Sequence, residues 1–193
     1  AAEALWSQAN DRERAHICAV RAWIEGDFHS AVQHWETGLV HQPHDLLALA
    51  LVHLTDVLLG DVVGQRDCVA RVFPMWDESV PGYEFVLAFY AFGLEENRDF
   101  SRGEEAGRRA LAIRPDHPYA IHAVAHVMEM QGRQLGGVHF MTERRDVWAN
   151  GNFRNHLWWH LSLFLLDLGR NDEVMAIYDN NLRGGGVGGE RYE

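Results

Sequence analysis

The sequence predicts an all-α fold, a right-handed solenoid of about five antiparallel helix pairs, and three observations carry that prediction. Apolar residues recur with helical period, as in LLALALVHLTDVLL and YEFVLAFYAFGL, and no alternating β-branched segment bounded by turn residues competes with them. Glycine, or Arg98 in its place, returns at positions 26, 60, 98, 132 and 169, with spacings of 34, 38, 34 and 37 residues. Prolines occur only at positions 43, 74, 81, 115 and 118, where each would stop one hairpin before the next begins.

Taken in order, the first pair consists of RERAHICAVRAWIE, a turn at Gly26, and GDFHSAVQHWETGLVHQP. In that second segment Gly26, Ala31, Trp35, Gly38 and Pro43 stand where a tetratricopeptide repeat places its turn glycine, small contact, aromatic, second small contact and terminating proline. The second pair turns at Gly60. Its later half, DVVGQRDCVARVFPMW, matches the pattern least and runs into a linker around Pro74 to Pro81, which accounts for the 38-residue step. The third pair turns at Arg98 and continues as NRDFSRGEEAGRRALAIRP, with Phe100, Gly103, Gly107, Ala110 and Pro115 in register. The fourth turns at Gly132 and the fifth at Gly169. Residues 1–183 are therefore expected to form one repeat domain, and 184–193, containing GGGVGG, a flexible glycine-rich tail. In such a stack each pair buries its apolar face against its neighbours, and the first (A) helices line a concave groove.

The resemblance extends further. Through RERAHICAVRAWIEGDF, DCVARVFPMW, HAVAHVMEMQGR and NHLWWHLSLFLLDLGRNDEVMAIYD the chain resembles the tetratricopeptide repeat protein 38 family over nearly its whole length. Members of that family are longer, so the resemblance implies an internal segment, in keeping with a first residue that is not Met. It implies tetratricopeptide helices without an established activity. Its most specific part is the pair of patterns formed by His122, His126, Glu129 and Met130, then His156, Trp159 and His160, because helix packing alone does not require those polar side chains.

His122, His126 and Glu129 share one helix face, since each residue turns the chain by about 100°. His156 and His160 repeat the one-turn spacing in the next unit. Two imidazoles one turn apart suit a metal such as zinc, so His122, His126, Glu129, His156 and His160 are candidate ligands if the two A helices meet. The zincin motif is absent, because HAVAH carries Ala123 where that motif needs its glutamate base. The alternative is that these histidines are buried groups bonded to carbonyls or carboxylates, with Glu129 holding His126 in one tautomer. By repeat register the groove is expected to present His16, Trp23, Phe92, His122, His126, Glu129, His156 and Trp159, with His160 beside them. Trp158 and His53 read as core residues, and Arg108, Arg109, Arg144 and Arg145 as a solvated outer face.

Acidic residues outnumber basic ones by 28 to 17, a formal charge of −11, which disfavours a phosphate backbone as partner. No run of 18 apolar residues and no signal-peptide pattern occurs. Cys18 and Cys68 lack CxxC spacing and read as thiols of a reducing compartment, so a cytoplasmic location is expected. No phosphate loop follows a strand, and no serine lies in a G-x-S-x-G context. Two functions from different classes remain. One is a binding or scaffold module whose His- and Trp-lined groove takes a peptide or small ligand; no lysine-arginine clamp for a carboxylate terminus is present. The other is a metal-dependent or acid-base enzyme, of hydrolase or lyase type, built on the histidine cluster.

Overall fold

The computed structural model describes residues 6–183, so the glycine-rich tail expected at 184–193 lies outside the described residues. Helices α1 (Asp11–Ile24) and α2 (Phe28–His41) form the first pair, α3 (Leu46–Leu59) and α4 (Val62–Val72) the second, and α5 (Tyr83–Glu96) and α6 (Phe100–Ile113) the third. The fourth is α7 (Pro118–Met130) with α8 (Gln134–Glu143), and the fifth is α10 (Arg154–Asp167) with α11 (Asn171–Ile177). A one-turn helix, α9 (Arg145–Trp148), bridges units four and five, and α11 runs on into a π-helical turn at Tyr178–Leu182. No strand occurs among the described residues.

All five expected turns share one backbone conformation. Gly26, Gly60, Arg98, Gly132 and Gly169 have φ of 81°, 69°, 64°, 67° and 70°. After each, the next backbone N–H reaches back to a carbonyl five residues earlier, from Asp27 to Ala22, Asp61 to Asp56, Asp99 to Leu94, Arg133 to Met128 and Arg170 to Leu165. This is the Schellman closure, which satisfies otherwise orphaned carbonyls and requires a left-handed residue. The following residue then starts the second helix. Asp27 and Asp61 accept from the N–H groups of Ser30 and Gly64, so a single reversal both ends and begins a helix.

Small residues let the helices approach. Ala31 and Ala110 are fully buried, and a Cβ on Gly107 would stand 2.6 Å from a methyl of Val124. Trp35 fills the first unit and donates to His16, while Trp76 in the linker donates to the Pro43 carbonyl and so ties the second unit to the first. The linker expected around Pro74 to Pro81 is a short 3-10 turn at Phe73–Met75 followed by irregular chain up to Tyr83. The core is continuous from Ala19 to Leu165, and on α7 Ile121, Ala123, Val124, Ala125 and Val127 are fully buried. Cys18 and Cys68 are free thiols, and burial pushes the pKa of Cys68 up. No helix among the described residues is long and apolar enough to cross a membrane.

Candidate functional site

Helices α7 and α10 bring the two histidine pairs together. His156 Nε2 lies 2.9 Å from His122 Nε2 and 3.1 Å from His160 Nε2. The His126 ring centre is 4.3 Å from that of His122 and 4.5 Å from that of His160. One nitrogen from each of the four rings falls within a cluster no more than 4.8 Å across. His122 and His160 are buried, whereas His126 and His156 are partly exposed and open the cluster towards solvent.

Aromatic side chains hold the rings in place. Phe92 on α5 packs edge-on against His126 at 5.1 Å and lies 4.9 Å from His122. Phe153, at the entry to α10, lies 5.3 Å from His122 and 4.9 Å from His156. Trp159 stands beside both His156 and His160 and is 45% exposed, whereas Trp158 is buried against Trp148. Adjacent tryptophans on α10 thus divide between the open side of the helix and its packed side.

Two carboxylates face the outer edges of the rings. Glu129 Oε2 accepts from His160 Nδ1 at 3.1 Å, so Glu129 orients His160 across the unit boundary and not His126 on its own helix. That pairing differs from the same-helix contact expected above, because the His126 ring is turned towards α5. There Glu95 Oε2 lies 3.3 Å from His126 Nδ1. Glu95 is 3% exposed, and its Oε2 makes no hydrogen bond among the described residues. Sequence reasoning missed Glu95 and Phe153. A signal for Glu95 existed, since it precedes Glu129 by one 34-residue repeat and lies three residues after the groove position Phe92.

Because a carboxylate only accepts, His160 carries its proton on Nδ1 and directs an Nε2 lone pair into the cluster. Burial disfavours the charged form of three of the rings. It lowers His122 well below the usual imidazole range, with the other three histidines adding to the effect, and lowers His156 to about 4, with His160 and His126 adding to it. Burial also lowers His160, although Glu129 opposes it. Neutral imidazoles with inward lone pairs can accept hydrogen bonds or ligate a cation.

His16 stands apart from this group. Trp35 Nε1 donates to its Nδ1 at 3.1 Å, which puts the proton on Nε2, 2.9 Å from Asp45. Both ring nitrogens are therefore engaged. Burial raises the Asp45 carboxyl, but Arg12, the Ala48 N–H and His16 outweigh that and hold it at about 2. His53 is buried as expected, with its ring 4.9 Å from Phe89 and its Nδ1 without a hydrogen bond among the described residues.

No protein-family model matches the chain. Solved structures do. A thermophilic TPR protein from Thermus thermophilus superposes with a TM-score of 0.65 at 17% identity, over 89% of this chain and 90% of that one. A putative kinesin light chain of Podospora anserina with nearly identical TPR-like repeats gives 0.65 at 15%, over 88% and 92%. MamA from Desulfovibrio magneticus gives 0.62 at 13%, over 89% and 91%. The chain has the tetratricopeptide-repeat fold. At these identities the likeness describes architecture alone.

Proposed function

We propose that this chain is a tetratricopeptide-type binding module whose A-helix face takes a peptide or small ligand, with Trp159 and the cluster of His122, His126, His156 and His160 as its polar and aromatic end. The observation that carries this reading is an apolar row on the exposed side of the A helices. Val20 and Ile24 on α1, and Leu54, Val57 and Leu58 on α3, are all exposed, Ile24 by 80% and Leu58 by 67%. Packing within the repeats does not use these side chains, and exposed apolar rows on solenoids are natural contact surfaces. The formal charge of −11 favours an uncharged or basic partner.

Binding is a better use of the cluster than proton transfer. A general acid or base works best with a pKa near the ambient pH, whereas His156 is held at about 4. The test is capture of partners by the chain and by a Leu58→Asp/Trp159→Ala variant, chosen because neither residue is buried. Loss of the captured set, with the thermal midpoint unchanged, is the expected result. An unchanged set refutes the reading.

A further inference from the structure

We propose that His122, His126, His156 and His160 form a binding site for one divalent transition-metal ion of the zinc class, supported by Glu129 and Glu95 as outer carboxylates. The spacing fits such an ion. Tetrahedral ligand nitrogens at about 2.0–2.1 Å from zinc stand about 3.3 Å from one another, and the Nε2 pairs here lie at 2.9 and 3.1 Å with all four donors within 4.8 Å. Small side-chain adjustments would close the set around a central ion.

The protons of the cluster point the same way. His160 turns an Nε2 lone pair inward, because its Nδ1–H is given to Glu129. His156 Nε2 lies within hydrogen-bond distance of the Nε2 atoms of both His160 and His122. One ring nitrogen carries at most one proton, so a hydrogen on His156 serves one neighbour well and leaves the other sharing it or facing it. A metal ion removes the conflict by accepting every lone pair.

The outer groups supply independent support. Glu95 is a buried carboxylate whose Oε2 makes no hydrogen bond among the described residues and points at His126 Nδ1 from 3.3 Å. Buried carboxylate oxygens are seldom left in that condition. Metal-bound histidines characteristically turn their second nitrogen to a carboxylate, which is the relation of Glu129 to His160 and of Glu95 to His126. Two carboxylates beside four imidazole ligands balance the charge of one divalent ion. An all-nitrogen donor set selects zinc-class ions over magnesium or calcium, which require oxygen. The ion would also clamp α7 to α10 across the boundary between units four and five.

The experiment uses the full chain without a polyhistidine tag, stripped with chelator and titrated separately with zinc and with cobalt. The expected result is one equivalent of either ion, the intense visible absorption of tetrahedral cobalt, and a higher thermal midpoint. Glu129→Gln should weaken binding by about 10- to 100-fold. His156→Asn/His160→Asn should abolish it, with circular dichroism confirming the helical fold. His139→Asn, at an exposed histidine on α8, should leave it unchanged. Failure to bind one equivalent, an octahedral cobalt spectrum, or binding that survives in the double variant would overturn the proposal. If the double variant does not fold, the cobalt spectrum of the unmodified chain decides alone. Because the groove test above alters no histidine, its failure and the failure of this proposal are distinguishable.

Discussion

Arg98 is the one non-glycine residue with positive φ among the described residues, at 64°, in a turn otherwise equivalent to that at Gly60. Both turns close with the same pair of backbone bonds, at 3.2 and 2.9 Å around Gly60 and at 2.8 and 2.9 Å around Arg98. A Cβ built on Gly60 meets nothing within 4 Å, so substitution there changes backbone preference without a clash. A left-handed residue with a Cβ is disfavoured by about 1–2 kcal/mol, and glycine returns about 0.4–1 kcal/mol of that through the greater freedom of its unfolded chain. The expected net effects are a loss of about 0.5–1 kcal/mol for Gly60→Ala and a gain of similar size for Arg98→Gly. Arg98→Ala is the control. It keeps the Cβ and removes only the exposed guanidinium arm, so its effect should stay within about 0.5 kcal/mol. Urea unfolding followed by circular dichroism, with equal m-values, measures all three. A lower midpoint for Arg98→Gly, or no change for Gly60→Ala, would refute the assignment of the cost to backbone conformation.

Acidification should destabilise the chain through its buried histidines. Burial lowers His53 and His117 to about 4 each, and Arg114 adds to the effect at His117. A depressed histidine contributes stability that is present above its unfolded value of about 6.5 and lost as the pH falls through the folded value. Between pH 7 and pH 5 each should therefore cost about 2 kcal/mol, while Asp45 and Glu104, held at about 2, stay charged in the folded chain throughout that window. A urea midpoint that does not fall from pH 7 to pH 5 would contradict this. Asp56 has the opposite sign. Burial, with Asp61 and Glu36 nearby, raises it to about 7, so its favourable contribution is present at low pH and lost as the pH rises through 7. Asp56→Asn should accordingly stabilise the chain by about 1–3 kcal/mol at pH 8 and by less at pH 5; equal effects at both pH values would show that the carboxyl does not titrate there.

The repeat frame was legible from local rules. A left-handed turn residue, a small residue five positions later and a proline at the end are demands that the chain makes within a few residues, and all five turns lie where the sequence places them. The spacing of His122 to His126 and of His156 to His160 is likewise a property of a single helix, so each pair could be read as sharing a face. How the pairs meet depends on the stacking of separate repeats. Tertiary structure decided that Glu129 reaches His160, that Glu95 comes from α5 to face His126, and that Phe92 and Phe153 flank the rings. It decided equally that His16 is spent on Asp45 and Trp35, and that a one-turn helix at Arg145–Trp148 occupies the longer step between units four and five. Hydrogen-bond partners across helices follow from the angle and offset between packed units, which the volumes of buried side chains set collectively and no single stretch of sequence specifies.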